Sequence, residues 1–318
     1  MLEVKNTNLI KLNNLTIIGG SGFVGKSFID SFNRGMLKKY LITSLTVICR
    51  NRIVTPKAKH LNLKKIKIIY GDISKIKKLP KSNLFIYAAE TTNVDKYNKV
   101  KKVQKDHKRA INNFCKLIKN LKESRVLYLS SGSVIKSNVL YNSDNIYKKI
   151  YSKLKLYSES KIKALKNFNI KSSTARCFTF IGPWLPMNQQ YILGNFIRDA
   201  QCQEKIIIRS RNLVYRSYMY SDDMVDWLVK ILINIKKTHK IYNVGSDRAI
   251  EIKKLASLVS SQFNKKIKIV SKKINSNYID KYIPNISKTK NDLNLKIKYS
   301  LTKALQLTIN KTSYEKKN

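Results

Sequence analysis

The chain has 318 residues, with 64 Lys and Arg against 19 Asp and Glu, a formal net charge of +45. Its 43% hydrophobic content is that of a globular protein, so wholesale disorder is excluded despite the charge. No uninterrupted apolar run approaches the ~18 residues of a membrane span. The opening MLEVKNTNLIKLNN has neither the apolar core nor the small-residue cleavage site of a secretion signal, so a cytoplasmic protein with no membrane partner is expected. Cys49, Cys115, Cys177 and Cys202 lie far apart without a CxxC pair, and three histidines are too few for a His-rich centre. Neither a disulfide frame nor a metal site is expected.

The charge first suggests nucleic acid, because neutralising phosphates takes Lys and Arg. Its make-up argues otherwise. There are 53 Lys and only 11 Arg, the residue suited to bidentate phosphate and base contacts. The basic residues never run longer than two and are spread from Lys5 to Lys317. Lys, Asn and Ile are abundant while Gly and Pro number 10 and 5, the pattern of A/T-rich codons. No specific nucleic-acid partner is expected.

The first half alternates short apolar runs with amphipathic stretches. Residues 15–20, 45–50, 66–72, 84–90 and 125–132 read as buried strands, and 24–34 and 103–122 as helices. Near-continuous apolar strands alternating with helices predict a parallel sheet covered on both faces. A further strand is expected at 173–180. Beyond it, GPWLPMNQQ reads as a loop, followed by a helix (191–203), a strand (205–209), a helix (222–236), a strand (241–245) and a helix (251–263).

GGSGFVG places Gly19, Gly22 and Gly25 in a GxxGxxG frame after the first strand and opening the first helix. The first glycine makes the tight turn, the second lets the backbone approach a pyrophosphate, and the third lets helix and strand pack closely. With so few glycines, chance predicts about 0.01 such frames, so the motif is informative. The second strand ends in Cys49-Arg50-Asn51-Arg52, with no acid for a ribose 2′-OH. Arg50 or Arg52 there suits the 2′-phosphate of NADP, and Asp72 closes the third strand where an adenine would lie.

Moving a proton while a nicotinamide moves a hydride calls for a Tyr with a Lys one helical turn away, which lowers its pKa. YxxxK by itself says little here: with 18 Tyr and 53 Lys, chance gives about 3 matches. Four occur, Tyr97/Lys101, Tyr151/Lys155, Tyr157/Lys161 and Tyr299/Lys303.

Taken in order, GGSGFVG, Gly71-Asp72, YLSSGSV (128–134) and YSESK (157–161) resemble the extended short-chain dehydrogenase/reductase family, the NAD(P)-dependent nucleotide-sugar epimerases and dehydratases. ARCFTFIGPW (175–184), YRSYMYSDDMVDWLVKIL (215–232), IYNVGSDRAIEIKKLA (241–256) and LNLKIKYSLTKALQLTI (293–309) resemble its later segments. The resemblance implies a Rossmann-type doubly wound parallel sheet of the α/β class, with a smaller C-terminal α/β substrate domain. We place an NAD(P)-binding domain at 1–180 and a nucleotide-sugar domain at 181–318, partly interleaved with the first. It implies catalysis by Ser131, Tyr157 and Lys161, because Ser160-Lys161 matches the family's SK ending and the Tyr151 pair does not. It further implies a cofactor site of Gly19, Gly22, Phe23, Val24, Gly25, Arg50, Asp72, Ile73, Ala88, Ala89 and Lys161, and substrate contacts from Ser133 and Arg216. A homodimer is a family expectation only.

The chain departs from the pattern at Gly132-Ser133, where the 4,6-dehydratases carry Asp-Glu, and at Glu90-Thr91-Thr92, to which no role is assigned. The reading is therefore an NAD(P)-dependent epimerase or 4-ketoreductase of a nucleotide sugar, in deoxysugar or surface-polysaccharide synthesis, with NADP slightly favoured. The alternatives are a 4,6-dehydratase, or a non-catalytic Rossmann protein binding RNA through its basic surface. Arg176 reads as structural, and Asp222/Asp223 as the first-turn acids of the following helix.

Overall fold

The computed structural model describes residues 14–53, 61–90, 99–121, 123–135, 146–187, 191–210, 212–270 and 275–311. Tyr97, Thr91 and Thr92 lie outside them. In the first part the chain runs β1 (Asn14–Ile18), α1 (Phe23–Asn33), β2 (Ser44–Cys49), β3 (Lys67–Tyr70), β4 (Leu84–Tyr87), α2 (Val100–Ile118), β5 (Arg125–Ser131), α3 (Ile146–Lys163) and β6 (Lys171–Cys177). Then follow β7 (Phe180–Ile181), α4 (Ile192–Cys202), β8 (Lys205–Ile208), β9 (Asn212–Arg216), β10 (Met219–Tyr220), α5 (Ser221–Ile233) and β11 (Lys240–Val244). The chain continues through β12 (Ile250–Glu251), α6 (Ile252–Phe263), β13 (Lys266–Ile269), β14 (Asn275–Tyr282), α7 (Ser287–Leu293) and α8 (Leu301–Asn310).

Seven strands form one parallel sheet in the order β11-β6-β5-β4-β1-β2-β3. β4 is buried along its whole length, because alternate residues feed two separate cores. Leu84, Ile86 and Leu127 join Phe28 of α1 and Trp227 of α5 on one face. Phe85, Tyr87, Val126 and Tyr128 join Phe114 of α2 and Ile162 of α3 on the other. This is the doubly wound α/β architecture expected, and its strand order reverses between β1 and β4, where such sheets open a crevice.

The second part of the chain completes the first. β11 pairs with β6 as the sheet's edge, and α5 covers the central strands. A smaller body gathers α4, α6 and α8 around Ile197, Leu255 and Leu305. In it β9 lies between β12, antiparallel, and β14, parallel. That three-stranded sheet escaped the sequence reading because none of its strands carries a long apolar run.

Asp222 and Asp223 are first-turn residues of α5. Asp222 receives both guanidinium nitrogens of Arg34, at 2.6 and 3.1 Å, and Asp223 accepts the backbone N–H groups of Lys298 and Tyr299. Arg176 donates to both oxygens of the buried Glu159, at 3.0 and 2.7 Å, tying β6 to α3. These carboxylates are committed to holding elements together.

Candidate active site

The glycine turn opens the site. Gly19 sits at φ +109°, a conformation that L side chains resist, and a Cβ there would lie 2.6 Å from the carbonyl oxygen of Ala88. A Cβ on Gly25 would lie 2.5 Å from Gly20 Cα, so only glycine lets α1 start this close to the turn. On Gly22, the N-cap of α1, the nearest atom would be 3.7 Å away. The helix start is therefore open, with no side-chain cap among the described residues and a positive dipole end.

From this turn a cavity of about 630 Å³ runs across the ends of β1, β2, β3 and β4 and under α2. Gly19, Gly22, Arg50, Asp72, Ile73, Ala88 and Ala89 line it, as do Glu90, Lys99, Lys102 and His107, which the sequence reading did not place there. Phe23, Val24, Gly25 and Lys161 are not part of the lining. Phe23 stacks on Phe180 with ring centroids 6.5 Å apart, and Val24 packs on the sheet core. Asp72 Oδ1 accepts the Ser74 N–H at 2.9 Å, and Oδ2 lies 3.6 Å from Arg50. Burial alone would raise the Asp72 pKa, but the Ser74 bonds and the Arg50 charge outweigh it and hold the carboxyl below its ordinary value. The size of the cavity, its glycine mouth and its cationic rim fit a dinucleotide.

The structure does not bring the expected Tyr157 and Lys161 to Ser131. Tyr157 does not meet Ser131: its hydroxyl donates to Asn112 Oδ1 of α2 at 3.0 Å, and exposed Lys161 lies over its ring at 5.3 Å. The pair six residues earlier does. The Tyr151 hydroxyl is near enough to Ser131 for that serine to act on its pKa, and Lys155 Nζ stands 5.6 Å from the Tyr151 ring centre. Lys155 is only 5% exposed and donates to the carbonyl oxygen of Leu129 at 2.7 Å. The physical reason is helix phase. Six residues are about 1.7 turns, so the two pairs point about 120° apart, and only one of them faces the end of β5. Tyr299, of the fourth match, bonds Asp222 at 3.2 Å and belongs to the α5 anchorage.

Two further residues complete the site. Tyr282, the last residue of β14, brings its hydroxyl to 3.4 Å from Ser131 Oγ and packs its ring 4.8 Å from Phe178. Glu90, just past β4, pairs with Lys155 Nζ, accepts the Tyr128 hydroxyl at 2.6 Å and lies 3.8 Å from His107 Nε2. Burial first, then Glu90, push the Tyr151 hydroxyl well above its ordinary pKa. The expectation that the neighbouring Lys would lower it is not met, because burial and the Glu90 charge both raise it. Burial also raises the Tyr282 hydroxyl to about 12 and Cys177 to about 12, so that thiol is no nucleophile. His107 is lowered, chiefly by burial, and is neutral at neutral pH.

Ser133 holds its place beside Ser131, its N–H donating to Ser131 Oγ at 3.2 Å, and among the described residues its own hydroxyl is buried with no hydrogen-bond partner. Arg216 pairs with Asp280 at 2.6 Å, and not with Asp222 or Asp223. It sits on β9 directly across from Tyr282, so it flanks the site from the smaller body. Among the described residues no His/Cys/Asp/Glu cluster suited to a metal ion occurs.

A crevice at the reversal of strand order, entered through a glycine turn and lined by the Glu90 that pairs with Lys155, belongs to the dinucleotide-binding α/β proteins. Comparison with known proteins narrows this class. Residues 15–245 match the NAD dependent epimerase/dehydratase family, and the chain belongs to it. Over 310 residues it is 23% identical to UDP-glucuronic acid decarboxylase 3 of Arabidopsis thaliana, covering 92% of this chain and 87% of the relative. Its fold is that of UDP-glucose 4-epimerase from Thermotoga maritima, solved with UDP-glucose (TM-score 0.71, 17% identity, 94% and 98% of the two chains). It is equally that of a double mutant of the dTDP-glucose 4,6-dehydratase DesIV from Streptomyces venezuelae, solved with NAD (TM-score 0.76, 15% identity, 93% and 96%).

Proposed function

We propose that this protein is an NADP-dependent reductase of a UDP- or dTDP-linked keto-sugar, acting through Ser131, Tyr151 and Lys155. The observation that carries the proposal is the placement of Tyr151 and Lys155, one turn apart on α3, against Ser131 at the end of β5 and beside a dinucleotide-shaped cavity. The relatives' names include a decarboxylase, an epimerase and a dehydratase, so family alone does not choose the reaction.

Three features favour reduction. The Tyr151 hydroxyl stays protonated at neutral pH, as a proton donor to a carbonyl must. Gly132 and Ser133 offer no carboxyl group where the dehydratases carry two, so elimination of water lacks its acid and base. The rim of the cavity carries Arg50, Lys99 and Lys102 with no acid at the end of β2, which suits a 2′-phosphate and a cofactor exchanged at each turnover.

Gly19, Gly22, Asp72, Ile73, Ala88 and Ala89 would hold the dinucleotide, which would supply the hydride to the carbonyl carbon. Tyr151 donates its proton to the carbonyl oxygen as the C=O π bond becomes an alcohol, and is reprotonated from solvent. Ser131 hydrogen-bonds the same oxygen and fixes its distance from Tyr151. Lys155, held by the Leu129 carbonyl and Glu90, keeps the Tyr151 ring in register and would offer its remaining N–H to the cofactor ribose. Ser133, with its unpartnered hydroxyl, and Arg216 are the proposed contacts to sugar and diphosphate. The test is NADPH oxidation with UDP- and dTDP-4-keto sugars. Consumption that depends on Tyr151 supports the proposal, and no consumption with any of them refutes it.

A further inference from the structure

We propose that Glu90 is a positioning residue that holds Lys155 and biases the enzyme-bound equilibrium of hydride transfer toward carbonyl reduction. The inference rests on the Ser131–Tyr151–Lys155 reading and goes beyond it, because it names what shifts the balance between oxidising and reducing chemistry at that site.

The geometry is specific. Glu90 lines the same cavity as Gly19, Ala88 and Ala89 and is in contact with Lys155 Nζ. Both side chains of the pair are 7% exposed, so their interaction is little screened by water. One oxygen of the carboxylate accepts the Tyr128 hydroxyl at 2.6 Å, and the other is in ion-pair contact with Lys155 and makes no hydrogen bond among the described residues. Three layers of the fold converge on this carboxylate. β5 gives Tyr128, α2 gives His107 at 3.8 Å, and α3 gives Lys155 and Tyr151. From β4, Tyr87 is also close enough for Glu90 to raise its pKa. His107 is uncharged at neutral pH and is held by Leu154 O and Ser158 Oγ at 3.1 and 2.8 Å, so it leaves the charge balance to the pair.

Two electrostatic consequences follow, and they have the same sign. A lone buried ammonium beside Tyr151 would favour tyrosinate, the base that oxidation of an alcohol requires. With Glu90 against it, that field is cancelled and Tyr151 remains the acid that reduction requires. Without Glu90 the unbalanced Lys155 ammonium would also repel a cationic, oxidised nicotinamide more than the neutral, reduced one, and the pair removes that repulsion. That favours the state in which the hydride has been given away.

Both consequences can be read without knowing the substrate. The probes are NADP+ and NADPH, titrated by fluorescence, and the ultraviolet absorbance of tyrosinate in the unliganded protein. The Tyr151 ionisation is identified as the step that Tyr151→Phe removes. Glu90→Gln is expected to weaken NADP+ relative to NADPH by about fivefold, and to lower the Tyr151 ionisation by about one pH unit. If Glu90→Gln does not fold by circular dichroism, Glu90→Asp carries the test, moving both readouts the same way by about half as much. An unchanged affinity ratio together with an unmoved tyrosine overturns the inference. A Tyr151→Phe enzyme that still reduces keto-sugars would instead overturn the site reading beneath it. The two failures are therefore separable.

Discussion

Helix α3 carries the same four-residue spacing on two of its faces, and the two copies sit in different surroundings. Toward the sheet, Tyr151 and Lys155 are packed against Ser131, Glu90 and Leu129, with Lys155 only 5% exposed. Toward α2 and solvent, Tyr157 bonds Asn112 and Lys161 is exposed. Residue types and spacing are identical, so whatever chemistry differs between the pairs comes from surroundings alone. The inner pair has partners to align and little water to compete with them. The outer pair has water, and its Tyr–Lys contact is of the kind that contributes little.

The comparison breaks most directly with two conservative substitutions. Tyr151→Phe removes the proton donor and is expected to reduce kcat for keto-sugar reduction by about a thousandfold, while Tyr157→Phe leaves it within about twofold. Steady-state NADPH oxidation by the two variants is the check, and the reverse result would restore the outer pair. Next in size, Lys155→Met is expected to cost about a hundredfold in kcat/KM with weaker NADPH binding, and Lys161→Met nothing beyond about twofold. Fluorescence titration alongside the kinetics separates binding from turnover.

The pH profile sharpens the contrast further. Reduction needs Tyr151 protonated, and burial and Glu90 hold its ionisation well above the ordinary tyrosine value. The rate is therefore expected to stay flat through neutral pH and to fall only beyond the ordinary tyrosine range as the proton is lost. The Tyr157→Phe profile should overlay that of the parent. The smallest effect concerns stability. Loss of the exposed Tyr157–Asn112 bond is expected to cost under about 1 kcal/mol in urea unfolding, which makes the outer tyrosine a modest helix–helix contact and no more.

Much of the fold was legible because its signals are local. The strands expected at 45–50 and 84–90 appear as β2 and β4, and the helix expected at 24–34 appears as α1, each within a few residues. The near-continuous apolar strands announced a sheet covered on both faces, and GGSGFVG announced the crevice mouth. The positive φ at Gly19 and the tight approach at Gly25 show why glycine is required there. The site was legible in part. Ser131 stands where expected, since it follows from the end of a strand. Tyr151 lost to Tyr157 in the reading because the SK ending of the later motif matched the family better. On the helical wheel the apolar residues Ile150, Leu154 and Ile162 centre between the two tyrosines, so periodicity does not choose. Tyr282 carried no signal, since it lies 151 residues from its partner. Glu90 was conspicuous as a departure, but its meaning lay in Lys155, which sequence alone did not bring to it.

The amino-acid sequence by itself determined the parallel sheet, the glycine turn and the position of Ser131. Strand burial, turn conformation and helix entry are each written within a dozen neighbouring residues. Tertiary structure decided which of two equivalent Tyr/Lys pairs meets that serine, and which acid meets the lysine. Those outcomes depend on how α3 rolls against β5 and α2, a packing angle set by the whole core, and a shift of less than half a turn would exchange one pair for the other.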